Sequence, residues 1–175
     1  TELSLPVRLF GHGAVVIGRQ IYVIGGSNAA TLYGTETGLP ATVSADVYSA
    51  AVSGDGVLSQ WQKVSSLPKS FVFHAVSVSS NSVYLMGGYD GAVVSNSVYF
   101  SPIEADGAIG SWQALDVLPK NLVALASVAT EKYVYSLGGG LTYIDLPQQN
   151  IYYLKLKSEP RAFVRINPAT LNKNS

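Results

Sequence analysis

Val83 to Pro119 reads VYLMGGYDGAVVSNSVYFSPIEADGAIGSWQALDVLP, and nearly every part of it has a counterpart elsewhere in the chain. Ile21 to Gly26 (IYVIGG) and Tyr133 to Gly139 (YVYSLGG) answer its opening VYLMGG. Val47-Tyr48 answers Val98-Tyr99, and Tyr152-Tyr153 does so more loosely. Gly54 to Trp61 (GDGVLSQW) answers Ala105 to Trp112 (ADGAIGSW), and Tyr to Trp is 13 residues in both copies. Leu-Pro recurs at Leu5-Pro6, Leu67-Pro68 and Leu118-Pro119, at intervals of 62 and 51 residues. The sequence is an internal repeat with a period of about 50 residues.

Each unit divides into four short strands. In the middle unit, His74 to Val78 is apolar and alternating, and Ser82 to Met86 follows the turn residue Asn81. Ser97 to Ile103 is β-branched and aromatic, and Gly110 to Leu115 follows Asp106-Gly107. Asp-Gly is a strong hairpin signal, because Gly tolerates the positive φ of a tight turn. Four such strands make a small twisted sheet with two apolar faces. It must stack beside like sheets to bury both.

Leu-Pro, a His near the first strand, an apolar strand ending in Gly-Gly, then Tyr and later Trp: this ordered set resembles the kelch repeat of β-propellers, in the bacterial and archaeal form with an Asp-Gly hairpin and a Trp. The resemblance covers residues 5–66, 67–117 and 118–167 as three blades, with 168–175 as a tail. It implies an all-β fold, a partial propeller of about three blades with four antiparallel strands in each. The Tyr-to-Trp hairpin is longer than the common kelch form. The third unit departs further: Leu125 stands where His74 stands, no Asp-Gly or Trp follows, and Phe163 is the candidate for the Trp place. The large rings of Trp61 and Trp112 are expected to cover the Gly pairs, as part of blade packing.

Composition narrows the function classes. Formal net charge is zero and only 13% of residues are charged, which argues against the basic surface that nucleic acid requires. With no cysteine there is neither a disulfide framework nor a thiolate site. No apolar run reaches the length of a membrane helix, so no membrane insertion is expected. Ser, Gly, Tyr and Val richness with little Lys or Glu suits an extracellular or cell-surface protein, a cytoplasmic one being the other option.

Three blades leave two broad apolar faces open, whereas closed propellers have about four to eight blades. Such faces are expected to be covered. The missing blades come either from a longer parent chain or from a second copy. Thr1 to Pro6 reads as the end of an earlier fourth strand, which favours the parent chain.

Antiparallel order places the loop after each second strand on the same rim as the loop entering each first strand. The first unit carries about eleven extra residues there, within Ser27 to Ala45. Long loops inside compact domains are often functional. In kelch-like propellers this rim commonly binds partners, so the resemblance implies a binding surface. Its candidates here are Arg8, Tyr33, Glu36, Phe71, Tyr89, Asp90, Asn121 and Tyr143. Aromatic rings with a few hydrogen-bonding neighbours suit protein hot spots or sugar stacking.

No residue set reads as catalytic. His12 and His74 share one repeat position, which favours a shared structural role; without a third ligand the metal signal is weak. Asp55 and Asp106 belong to hairpin turns. The serines lack a nucleophile elbow with matched His and Asp. The expectation is therefore a non-catalytic binding or scaffold module for a protein or glycan ligand, without metal or cofactor. The alternative is a kelch-like enzyme of the sugar mutarotase type, with acid/base groups gathered in the propeller centre. A purely structural assembly role through the open faces is the third reading.

Overall fold

The computed structural model describes residues 4–28, 42–79, 81–142, 147–156 and 162–166. Among these residues every regular element is a strand. The first sheet holds β1 (Gly13–Ile17), β2 (Gln20–Ile24), β3 (Asp46–Ala51) and β4 (Gln62–Ser66). The second holds β5 (Ala75–Val78), β6 (Ser82–Met86), β7 (Val98–Pro102) and β8 (Gln113–Ala114). The third holds β9 (Ala126–Ala129), β10 (Tyr133–Leu137), β11 (Ile151–Lys155) and β12 (Val164–Arg165). Each sheet is an antiparallel meander in chain order. These are three blades of a partial kelch-type propeller, and the innermost strand β5 lies between β1 and β9.

The period-2 alternation of strand side chains explains why the sheets stack. On β6, Val83 and Leu85 join a core with Ile17, Tyr22, Ile24 and Val47 of blade one. Tyr84 and Met86 point the other way, into a core with Val134, Tyr152 and Leu154 of blade three. All of β6 is buried. Burying each large apolar side chain is worth about 1.5–3 kcal/mol. Packing between blades therefore dominates over the outermost pairing, which in blade two is only the two residues of β8. The expected fourth strand of blade two, Gly110 to Leu115, shrinks to Gln113–Ala114, and Gly110 instead bonds Pro102 across the hairpin. The expected strands beginning at His74 and Ser97 likewise start one residue later.

The hairpins form as the Asp-Gly signals predict. Asp106 Oδ1 accepts the amide of Ala108 at 2.9 Å, and Gly56 and Gly107 take φ of 82° and 84°. Phe163 precedes β12 as Trp61 precedes β4 and Trp112 precedes β8, and it is buried in the core between blades two and three. The expectation for the tryptophans is corrected. What lies against the Gly pairs is backbone and the residue at the His74 position, since Trp61 and Trp112 precede the outermost strands, two strands away. Trp112 instead packs on the core between blades one and two.

The Gly pairs have a division of labour. A Cβ on Gly25 would lie 2.9 Å from His74 of the next blade, and one on Gly87 would lie 2.9 Å from Leu125 of the next blade. The second glycine serves its own blade: Gly26 faces His12, Gly88 faces His74 and Gly139 faces Leu125, each at 2.7–2.9 Å. His74 of blade two and Leu125 of blade three thus each sit in a notch made by two blades.

Candidate functional site: the loop rim

The rim is built by a clasp repeated in each blade. The segment entering the first strand bridges the start of the loop after the second: Phe10 with Ser27, Val72 with Tyr89, and Val123 with Gly140. Gly11, Phe73 and Ala124 follow in the clasp, all left-handed, with φ of 60°, 56° and 54°. Phe73 and Ala124 pay strain for a conformation that Gly takes freely. The bend carries the Phe73 ring to Phe10 of the neighbouring blade, 6.0 Å between centroids. In blade one, the Ser27 hydroxyl donates to the Thr42 carbonyl and the Ser44 amide to the Gly26 carbonyl. The two ends of the long insertion are thereby fastened together.

The sequence candidates divide. Arg8 and Asn121 are exposed on the rim, and Tyr89 and Asp90 are half-buried there. Asp90 Oδ1 accepts the amides of Ala92 at 3.0 Å and Val93 at 2.9 Å, closing a tight turn. Burial alone would raise its carboxyl pKa. Those amides, with Lys69 nearby, outweigh burial and hold it below the usual value. Phe71 is corrected: it is fully buried between blades one and two, with its ring 5.9 Å from Tyr99, so it is core and not rim surface. Tyr33, Glu36 and Tyr143, with most of the insertion, lie outside the described residues.

Sequence reasoning missed the aliphatic part of the rim. Val7, Val93 and Leu141 stand on it in blades one, two and three, exposed by 36%, 60% and 38%. Their signal was position: each lies in a loop segment assigned to the rim, yet only aromatic and polar types were weighed. Gly91 of the blade-two turn also comes against Val43 at the end of the blade-one insertion.

His12 and His74 sit at the blade junction behind this rim. His74 is buried, and burial lowers its pKa to about 4, with His12 adding to the effect. The Ile24 carbonyl pulls the other way, but neither ring nitrogen reaches hydrogen-bond geometry. Burial lowers the pKa of His12 as well. Both rings therefore favour the neutral form. Among the described residues no three His, Cys, Asp or Glu side chains gather closely enough to hold a metal ion.

The family pattern described as Kelch motif matches residues 8–37, which span the blade-one clasp, β1, β2 and the Gly25-Gly26 pair. The chain carries a kelch motif in its first blade. A solved structure titled "Structure of YjhT" superimposes on this chain with a TM-score of 0.65 at 14% identity. The match covers 92% of this chain and 47% of that one, so the chain spans about half the length of its structural neighbour. No curated protein sequence matches it significantly.

Proposed function

We propose that this chain is a non-catalytic binding module whose loop rim takes a protein partner. The observation that carries the reading is the run of exposed aliphatic side chains on one rim, Val7, Val93 and Leu141, set among Arg8, Tyr89, Asp90 and Asn121. Apolar contact points ringed by a few polar groups are the composition of a protein-binding patch. The rigid clasps beneath them limit the ordering cost of association. Stacking of a glycan would ask for open aromatic faces, whereas Phe10 and Phe73 are turned against each other.

The test compares Val93→Asp with Val57→Asp, which is equally exposed but lies on the hairpin at the opposite end of the blades. Partners cross-linked to the wild-type chain should be lost with Val93→Asp and kept with Val57→Asp. The reverse pattern, or a glycan-array signal that Val93→Asp leaves intact, would overturn the reading.

A further inference from the structure

Tyr22 and Tyr84 hold the same place in the repeat, yet their hydroxyls end differently. At the first junction the Tyr22 hydroxyl donates to the Gly107 carbonyl of the next blade at 3.0 Å. Ile109 and Trp112 of that blade pack on the core that holds Tyr22. The Asp-Gly hairpin of blade two thus closes the end of the junction opposite the rim. Blade three has no Asp-Gly pair. The Tyr84 hydroxyl has no hydrogen-bond partner among the described residues, and Tyr84 instead lines a cavity between blades two and three.

The cavity measures about 170 Å³. One wall is aromatic. Tyr84 on β6 and Phe100 on β7 are cross-strand partners, with ring centroids 6.5 Å apart and planes 26° from parallel. Blade one pairs Tyr22 with Ser49 at this position, so it has no second ring there. Leu154 and Leu156 supply the wall from blade three. A slot between two near-parallel rings and branched aliphatic side chains suits a flat apolar ring. An apolar cavity of about 150 Å³ takes benzene, so the volume here admits one small aromatic ring and little more.

The mouth is polar. Asn81 and Glu131 line the cavity, and both are exposed. They lie in the turns that join first and second strands, at the end of the blades opposite the rim. Of the eight described residues around the cavity, Glu131 alone is charged. Its carboxylate has neither an ion pair nor a hydrogen bond among the described residues. An unneutralised carboxylate at the mouth of an apolar slot selects a cationic group over a neutral or anionic one. The Tyr84 hydroxyl, an acceptor as well as a donor, is open to a second N–H.

We infer that this cavity binds a small arylalkylamine, its aromatic ring held between the Tyr84–Phe100 pair and Leu154 and Leu156, and its ammonium group at Glu131. The site is separate from the rim, so a ligand here leaves the rim free for a partner.

Phenethylamine is the probe and 3-phenylpropionate its anionic counterpart, each titrated against the whole chain at neutral pH by ligand-observed NMR. The amine should bind saturably, in the millimolar range expected of so few atoms. The acid should bind about tenfold more weakly, because attraction at the exposed carboxylate becomes repulsion. Glu131→Gln should weaken the amine about threefold to fivefold and narrow the gap between the two ligands. Phe100→Ser gives blade two the residue that blade one carries at this position, and should abolish saturable binding. Both variants should keep the wild-type circular dichroism spectrum. A wild-type chain that does not bind phenethylamine overturns the inference, as does equal affinity for the acid. So does amine binding that either Phe100→Ser or Glu131→Gln leaves unchanged.

Discussion

The amide of Gly88 in blade two donates a 2.7 Å hydrogen bond to the carbonyl of Leu122 in blade three. The donor also sits where a Cβ would lie 2.7 Å from the Cβ of His74 and 2.9 Å from the Val72 carbonyl, at φ of 93°. Gly88→Ala therefore brings both backbone strain and a collision with main chain that cannot rotate away. Gly107→Ala is the control, with φ of 84° and nothing within 4 Å of a Cβ. Strain alone should cost Gly107→Ala about 1–2 kcal/mol. Gly88→Ala should lose about twice that or fail to fold, as urea denaturation midpoints would show.

His74 makes stability depend on pH. Its folded pKa of about 4 lies below the ordinary 6.5, so the unfolded chain binds more protons between those values. Its contribution is complete above pH 6.5 and is lost as pH falls through the window to about 4. The full loss is about 3 kcal/mol. Leu125 occupies the equivalent notch in blade three, so His74→Leu should fold and flatten this part of the pH profile. Unfolding midpoints measured across that window for the two proteins test the sign and the size.

The two serines across the junction between blades two and three should be coupled. Ser77→Ala leaves the Ser127 hydroxyl without its partner at 2.8 Å, and the single change should cost about 1 kcal/mol. The double change Ser77→Ala/Ser127→Ala should cost less than the sum of the singles, because no hydroxyl is then left unpaired. Additive losses in a double-mutant cycle would show that the contact contributes nothing.

Trp112 should tolerate Phe. Its indole Nε1 is buried without a hydrogen-bond partner, and blade three already uses Phe163 at this place. The gain from removing an orphan donor opposes the loss of ring area. Trp112→Phe should change stability by less than about 1.5 kcal/mol. Leu122→Ala, fully buried at the same level of the repeat as Phe71, should lose about 2–5 kcal/mol. The two thermal unfolding curves separate these cases.

Much of the blade architecture was legible because repetition makes each unit a test of the others. IYVIGG, VYLMGG and YVYSLGG mark three second strands, and all three are there. Phe163 was readable as the Trp counterpart by its place alone. The first shortfall came from residues whose type and position disagree. Phe71 looked like a rim aromatic because it follows Leu-Pro, but its carbonyl bonds Gly26 in the previous blade and draws the ring inward. The second came from contacts between units. Nothing local in Gly25 says that His74, nearly fifty residues later, will press on it. The left-handed Phe73 and Ala124 were equally hidden, since neither residue type advertises that conformation.

The joints between blades are made by main-chain atoms, with identical bonds at Phe71 and at Leu122 despite their different side chains. Mutation can therefore erase the spelling of a unit while leaving its fit untouched. The third unit, without the histidine, the Asp-Gly turn or the tryptophan, still docks as the second does. In such a scaffold, units are tradable parts, and kinship will fade from the letters long before it fades from the shape.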